Sequence, residues 1–282
     1  MTLATLADVL QPARERGHAV AGLVCLGWED MRAYVRAAEA EGAPVILQAG
    51  PACRAHTPLP VLGAMMRFLG ESVSVPVVVH LDHGASRAEC LEAIRCGFTS
   101  VMFDGSLLPL AENIAETRAI AALAHREGLS CEGEIGFVGY AEGRQSEGTD
   151  PDDAALFARE TGVDAMAVSV GNLHLQTAEG QALDEDRIRA IRNRTPVPLV
   201  IHGGSGVPAA QRARLARSGA VAKFNIGTEL RMAFGAALRH SLAGQPQSFD
   251  RIALLSPVEE PLVAAARAII RNLWGAPDPA DG

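Results

Sequence analysis

Aromatic side chains are scarce in this chain, and only 4% of its 282 residues are Phe, Trp or Tyr. Bases and other flat rings are commonly bound by stacking on such side chains, so few stacking platforms are available. A binding site in this protein must therefore depend on polar side chains and on the backbone.

Cysteine is also sparse, with five residues and no Cys-x-x-Cys spacing. This pattern disfavours a thiolate metal site or a dithiol redox centre. We expect the cysteines to act as small buried hydrophobic side chains. They are Cys25, Cys53, Cys90, Cys96 and Cys131.

The chain lacks an excess of positive charge and lacks long apolar segments. Its formal net charge is −8 and its sequence pI is near 5.5, which argues against a nucleic-acid or anionic-membrane partner. No apolar run reaches the roughly 18 to 20 residues of a membrane span, and the N-terminal residues do not resemble a secretory signal. These absences predict a cytoplasmic protein.

What the chain does contain is a regular alternation of short apolar runs and longer amphipathic stretches, which is typical of repeated βα units around a parallel sheet. A closed (β/α)8 TIM barrel of roughly 250 residues, formed as one domain over residues 1–282, is favoured over an open doubly wound sheet. Eight strands are predicted at residues 18–26, 43–50, 75–83, 98–105, 129–136, 163–171, 197–203 and 220–227.

Two segments after the eighth strand have helical periodicity. Residues 229–242 are predicted to form the last barrel helix and residues 257–274 an extra C-terminal helix, whereas residues 275–282 have no apolar period and are predicted to fray. Residues 137–150 form a long non-periodic segment after the fifth strand, which predicts a lid over the C-terminal face of the barrel.

Three histidines stand at the ends of predicted strands. Barrel enzymes place their active sites at the C-terminal ends of the strands, and His83, His174 and His202 lie at the ends of strands three, six and seven. Three imidazoles that converge there leave an open fourth position, as a catalytic zinc requires. His80 lies in the same strand as His83, and its role is ambiguous at this point. It could simply hydrogen-bond within the barrel.

Glycine-rich segments follow strands seven and eight. Gly203 and Ser205 lie after strand seven, and Gly227 and Thr228 lie after strand eight. Barrels often build a phosphate site at these two positions from backbone N–H groups and a helix N-terminus. One such segment is a weak signal, but the pair predicts a phosphorylated ligand.

These segments together resemble the class II fructose-bisphosphate and tagatose-bisphosphate aldolases over almost the whole chain. Residues 76–84 are similar to the family's His-Leu-Asp-His segment, residues 102–106 to its Met-Ile-Asp-Gly-Ser, and residues 132–136 to its Glu-x-Glu-Leu-Gly. The resemblance implies a homodimer or homotetramer that acts on a phosphorylated sugar.

The resemblance also implies roles for individual residues. His83, His174 and His202 would hold one Zn²⁺ or another divalent metal, and Asp82 would be the catalytic acid/base. The residues implied to bind dihydroxyacetone phosphate and its enediolate are Gly171, Gly203, Ser205, Asn225, Gly227 and Thr228.

The reaction that the resemblance implies is reversible cleavage of a carbon–carbon bond in a phosphorylated ketose, and its chemistry explains these residue types. Zinc acts as a Lewis acid for the enediolate that cleavage leaves, Asp82 takes the proton of the C4 hydroxyl, and Asn225 hydrogen-bonds the developing charge. Glu142 matches the acid that moves the C3 proton, although the residues around it depart from the family motif. Asp104 and Glu134 would orient histidine N–H groups or offer an alternative cation position.

Three alternatives to this function remain at the level of sequence. Lys223 is the only lysine in the chain, and a position inside strand eight is a poor one for the Schiff-base lysine of the other aldolase class. A catalytically silent sugar-phosphate-binding barrel, acting as a regulatory or assembly subunit, and a zinc hydrolase are the others.

Two departures from the family concern the substrate. Leu175 replaces a glycine that follows the strand-six histidine, and Glu259 and Glu260 lie where some fructose-type members place an arginine for the distal phosphate. Two carboxylates there would repel a phosphate. The sequence therefore predicts an acceptor aldehyde without a terminal phosphate. Arg54, Arg144 or a partner subunit could still supply a cation for a second phosphate.

Overall fold

The computed structural model describes residues 2–139, 146–177, 180 and 182–275, and these residues form nine strands and twelve α-helices. The strands are β1 Leu3–Ala4, β2 Val20–Val24, β3 Val45–Ala49, β4 Val77–Gly84, β5 Ser100–Phe103, β6 Ser130–Ile135, β7 Ala165–Val168, β8 Leu199–Ile201 and β9 Lys223–Ile226. The helices are α1 Leu6–Glu15, α2 Trp28–Glu41, α3 Pro51–His56, α4 Leu59–Glu71, α5 Arg87–Arg95, α6 Leu110–Arg126, α7 Pro151–Thr161, α8 Glu185–Arg192, α9 Ala209–Arg217, α10 Thr228–Gly244, α11 Arg251–Leu255 and α12 Glu259–Trp274.

Strands β2 to β9 form a closed parallel barrel. Each strand pairs with its neighbours in chain order, and β9 returns to pair with β2, with Val20 opposite Lys223. Helices lie between the strands, as parallel crossovers require. The predicted (β/α)8 barrel is confirmed, and the alternative prediction of an open doubly wound sheet is wrong.

All eight predicted strands occur within the predicted boundaries, apart from β4, which extends one residue further, to Gly84. They are shorter than predicted because their C-terminal residues leave the ladder to form the loops of the site, and β8 keeps only three residues. The last barrel helix and the extra C-terminal helix are confirmed as α10 and α12. The predicted frayed tail lies outside the described residues from 276 onward.

The N-terminal segment closes the bottom of the barrel, which the sequence analysis did not anticipate. A capping box between Thr5 and Asp8 begins α1, and such reciprocal bonds satisfy backbone N–H groups at a helix start. The helix packs Leu6 and Leu10 against the inward side chains of the barrel strands, such as Val78. The barrel is therefore filled from below, and its polar residues lie at the opposite end.

No helix among the described residues is long and apolar enough to span a membrane. This agrees with the absence of long apolar runs in the sequence.

Candidate functional site

Three imidazoles meet at the C-terminal end of the barrel. His83 lies on β4, His174 follows β7 and His202 follows β8, and one ligand atom of each lies within 4.8 Å of the other two. The ring centroids of His83 and His202 are 4.6 Å apart, and those of His83 and His174 are 5.3 Å apart. The structure thus brings together the three histidines that the sequence singled out.

His83 reaches this position through an unusual backbone conformation. Its φ is +53°, in the left-handed region that costs roughly 1–2 kcal/mol for a residue with a side chain. Leu81 and Gly84 pair with β5, but the register shifts between them. Such bulges redirect side chains at the ends of barrel strands, and here the bulge contains Asp82 and His83.

Hydrogen bonds fix the ring orientations of two of the histidines. Nδ1 of His83 donates to Asp104 Oδ2 at 2.7 Å, and Nε2 of His202 lies 3.1 Å from Glu132 Oε1. Carboxylates that hold one ring nitrogen in this way leave the other nitrogen for a metal. The remaining nitrogen of His202, Nδ1, is buried and has no hydrogen-bond partner among the described residues.

A carboxylate pair adjoins the imidazoles. Oε2 of Glu134 is 3.3 Å from His202 Nδ1 and 3.8 Å from His83 Nδ1, and it also lacks a hydrogen-bond partner within the described part of the chain. His83, Asp104 and Glu134 form a second group whose ligand atoms lie within 4.8 Å of one another. Unpartnered buried nitrogen and oxygen atoms that face one another fit a divalent cation.

The ionisation of these groups is strongly shifted. Burial raises the pKa of Glu134 to about 8, with repulsion from Asp104 acting in the same direction. Burial acts to lower the pKa of His83, but the surrounding carboxylates of Asp82, Asp104 and Glu134 outweigh it and raise the pKa to about 10. Strong shifts caused by burial and charge are typical of functional sites.

The other two histidines are neutral. Burial, together with the positive charge of His83, lowers the pKa of His174 to about 3. Burial also lowers the pKa of His202 far below its ordinary value. Neutral imidazole is the form that binds a metal, so two of the three histidines are already in that form at neutral pH.

A buried charged layer lies directly beneath the imidazoles. Nζ of Lys223 donates to Glu132 Oε2 at 2.6 Å and lies 3.4 Å from His80 Nε2, and His80 Nδ1 lies 3.0 Å from the hydroxyl of Ser100. The side chain of Lys223 is fully buried. His80 therefore bonds within the barrel, and Lys223 neutralises the carboxylate that orients His202 rather than lining the pocket.

The pocket above this layer has a volume of about 900 Å³. Asp82 and Asn225 line it together, and Asn225 Nδ2 donates to Asp82 Oδ1 at 3.1 Å. Both residues are buried. An acid/base candidate and a hydrogen-bond donor are thus aligned beside the three histidines.

The two glycine-rich segments meet at one side of the pocket. Gly203 has φ +65°, and a Cβ there would lie 2.0 Å from the carbonyl oxygen of Leu173, so no side chain fits. The hydroxyl oxygen of Ser205 accepts from the backbone N–H groups of Gly227 and Glu229. Because Thr228 begins α10 and lines the pocket together with Ser205 and Gly227, the N-terminus of this helix lies at the pocket, where it favours an anion.

Gly171, predicted to bind the substrate, is not among the described residues that line the pocket, and its role there stays a prediction. Its φ of +97° allows the chain to turn after β7. In that turn Asn172 accepts from Val170 N and donates to the carbonyl oxygen of His202 at 3.0 Å. Asn172 thus joins two strand ends of the site, and the sequence analysis did not single it out.

Leu175, which stands where the family has a glycine, has a left-handed backbone conformation. Its φ is +61°, and its side chain is half exposed and lines the pocket. A left-handed conformation at a leucine carries a strain of roughly 1–2 kcal/mol. The departure therefore places an apolar side chain in the pocket wall.

Glu142 and Arg144 lie outside the described residues, so the predicted lid can be described only at its two ends. Phe137 pairs with Glu147 as an antiparallel bridge. The carbonyl oxygen of Gly139 accepts from His174 N at 2.8 Å. Gly139, the last described residue before Glu142, therefore contacts the backbone of His174, beside the three imidazoles.

Glu259 and Glu260 do not lie at the pocket, so the repulsion of a distal phosphate expected from them is wrong. Glu259 pairs with Arg32 and Arg36, and Glu260 pairs with Arg36. These pairs join α12 to α2 on the outside of the barrel, and neither glutamate lines the pocket. Adjacent helices decided this placement, and the sequence carries no signal for it.

Arg231 is a pocket residue that was not identified from the sequence. It is the only arginine or lysine among the described residues that line the pocket, and its Nε is buried without a hydrogen-bond partner in the described part of the chain. It stands three residues after Thr228, so the two share a face of α10. The spacing could have predicted this position, because Thr228 was already expected to lie at the pocket and a residue three positions later on the helix lies on the same face.

Comparisons with known proteins agree with this geometry. The family model described as fructose-bisphosphate aldolase class-II matches residues 4–276. A probable fructose-bisphosphate aldolase of Bacillus subtilis is 37% identical over 92% of this chain and 93% of its own. A 6-phospho-5-dehydro-2-deoxy-D-gluconate aldolase of Shouchella clausii is 37% identical over 90% of this chain and 89% of its own. The crystal structure of the YdjI aldolase from Escherichia coli K12 superimposes with a TM-score of 0.85 at 30% identity, covering 98% of both chains.

Proposed function

The chain belongs to the class II fructose-bisphosphate aldolase family, and on that basis we propose that it is a zinc-dependent enzyme that reversibly cleaves a phosphorylated ketose to dihydroxyacetone phosphate and an aldehyde. The observation that carries the proposal is the convergence of His83, His174 and His202 next to the pocket that Asp82 lines. A sugar-phosphate-binding subunit without activity would have no need of this arrangement.

The three imidazoles of His83, His174 and His202 would hold the metal. The carboxylates of Asp104 and Glu132 orient the rings of His83 and His202, and neutral nitrogen ligands suit zinc better than magnesium or calcium. A divalent ion bound there supplies Lewis-acid stabilisation for the negative charge that cleavage leaves on the donor half. Glu134 offers a further oxygen ligand.

Asp82 acts as the acid/base of carbon–carbon bond cleavage. Its carboxylate lines the pocket and takes the proton of the C4 hydroxyl when the bond breaks, and returns it in the synthetic direction. The amide of Asn225 contacts Asp82 and provides a donor for the charge on the donor half. Glu142 is proposed to move the proton at C3.

The phosphate of the donor half binds at the N-terminus of α10. Gly203, Ser205, Gly227 and Thr228 line the same side of the pocket. Ser205 accepts two backbone bonds, which leaves its own hydroxyl proton free to be donated. We further propose, from the family alone, a cytoplasmic homodimer or homotetramer.

Metal removal tests this function. The purified protein is treated with a chelator, and retro-aldol cleavage is followed by coupling the release of dihydroxyacetone phosphate to its reduction. We expect loss of activity on chelation and its return when one equivalent of zinc per chain is added. Binding of the sugar phosphate without cleavage in the zinc-loaded protein would instead support the silent barrel.

Arg231 bears on the far end of the substrate. Glu259 and Glu260 lie outside the pocket, and Arg231 supplies the only arginine or lysine charge among the described residues that line it. We expect Arg231→Met to lower kcat/KM for fructose or tagatose 1,6-bisphosphate by about 10- to 100-fold, as expected for a lost charged hydrogen bond, and that for a 5-deoxy-ketose 1-phosphate by less than about threefold.

The pair of substrates also provides the control. Equal losses with both would assign Arg231 to the phosphate of the donor half that they share. If the wild type has the higher kcat/KM for the 5-deoxy substrate, the prediction that the natural acceptor has no terminal phosphate is supported. A higher kcat/KM for a bisphosphate would contradict that prediction.

A further inference from the structure

Arg54 is a buried arginine that the reaction itself does not use. It lies on α3, one turn beyond the end of β3, and its side chain is only 7% exposed. It is not among the described residues that line the pocket. A cation in such a place must be balanced by its neighbours.

Every N–H group of this guanidinium has an acceptor. Nε donates to Glu89 Oε1 at 2.8 Å, and Nη2 donates to Glu89 Oε2 at 3.2 Å and to the carbonyl oxygen of His83 at 2.9 Å. Nη1 donates to the carbonyl oxygens of Ala49 at 2.8 Å and Asp82 at 2.6 Å. Five donors and five acceptors is the full capacity of an arginine.

The acceptors identify what the arginine holds. The pairing of β3 with β4 ends at Ala49 and Leu81, and β4 rejoins β5 only at Gly84. Asp82 and His83 therefore lie in the gap between the two ladders, where their carbonyl groups need partners from outside the sheet. Arg54 provides these partners for both residues at once.

Glu89 completes the arrangement from the other side. Its Oε2 also accepts from the backbone N–H of Ala85 at 2.8 Å, just after the bulge, and its position is set by α5, which Ser86 caps. Arg54 and Glu89 together contact the chain on both sides of the positive-φ residue His83. The bidentate pair thus spans the bulge that presents the acid/base and one metal ligand.

We propose that Arg54 is a positioning residue that holds the Asp82–His83 bulge in the shape required for metal binding and proton transfer. The proposal rests on the proposed metal site but concerns a residue that touches neither metal nor substrate. Lysine cannot replace it, because a single ammonium nitrogen cannot reach three carbonyl oxygens and a carboxylate in one plane. The same bonds leave no donor of Arg54 for a distal phosphate.

Zinc affinity and turnover are measured for the wild type, Arg54→Ala and Arg54→Lys, with zinc affinity determined by competition with a chromogenic chelator in the absence of substrate. We expect Arg54→Ala to bind zinc about 10- to 100-fold more weakly and, at saturating zinc, to lose a similar factor in kcat while KM changes by less than about threefold. Millimolar guanidinium chloride, compared with sodium chloride, should restore part of both losses in Arg54→Ala.

Arg267→Ala is the matched control, since Arg267 also pairs with a buried carboxylate, that of Glu41, but on the outside of the barrel between α12 and α2. It should change thermal stability without changing zinc affinity or kcat. Equal effects of the two alanine variants, or wild-type zinc affinity and kcat in Arg54→Ala, would overturn the proposal.

If Arg54→Ala does not fold, Arg54→Lys decides the question. A loss of at least about tenfold in zinc affinity supports the positioning role, and a change within about twofold overturns it. A wild-type protein that binds no zinc through its histidines would instead refute the proposed function, so the two failures are distinguishable.

Discussion

Replacing His202 with alanine is expected to remove the metal and abolish turnover. His202 contributes one of three nitrogen ligands, and its ring is held by the buried Glu132. Loss of Lewis-acid stabilisation worth several kcal/mol corresponds to a decrease in kcat of about 1,000-fold or more. Metal content is measured by elemental analysis after dialysis, and turnover by the retro-aldol assay.

His125→Ala is a suitable control because His125 is exposed and pairs with Asp164 on the outside of the barrel. It should keep both metal and activity. A His202→Ala protein that retains one zinc per chain and wild-type turnover would show that the metal, if bound, is held elsewhere.

Replacing Asp82 with alanine should leave the metal in place but remove proton transfer in the cleavage step. The expected loss in kcat is about 10²- to 10⁴-fold, the range for a positioned general acid/base. Zinc content and binding of dihydroxyacetone phosphate should be largely unchanged, because Asp82 belongs to neither the imidazole cluster nor the glycine-rich segments.

A second measurement separates Asp82 from Glu142. Exchange of the C3 proton of dihydroxyacetone phosphate with solvent, followed by NMR, should survive in Asp82→Ala and be lost in Glu142→Ala. The opposite pattern would reverse the two roles. Asp82→Asn, which keeps the size of the side chain and can still contact Asn225, checks that the loss reflects the missing carboxylate rather than the space it leaves.

The structure also explains why Glu259 and Glu260 were wrongly expected at the site and why Arg231 was missed. Glu259 and Glu260 were assigned to the site because of their position in the chain, but α12 packs against α2 and presents them to Arg32 and Arg36. Arg231, by contrast, is brought into the pocket by the start of α10. Proximity to a functional segment in sequence does not determine which side of a helix faces the pocket.

The sequence alone determined the barrel and the core of its site. The alternation of apolar runs and amphipathic segments predicts βα units, and the C-terminal ends of parallel barrel strands all meet at one face. For this reason the sequence alone predicts that His83, His174 and His202 lie together, and the family motifs add Asp82 and Asn225 to them.

Only the tertiary structure decided which side chains support that site. Arg54 contacts Asp82 across 28 residues of sequence, and Lys223 lies beside His80 across 143. Helix α1 closes the barrel through apolar side chains, but their pattern in the sequence is that of any amphipathic helix. Such contacts depend on how helices and strand interiors pack in three dimensions, and neither periodicity nor motif spacing contains that information.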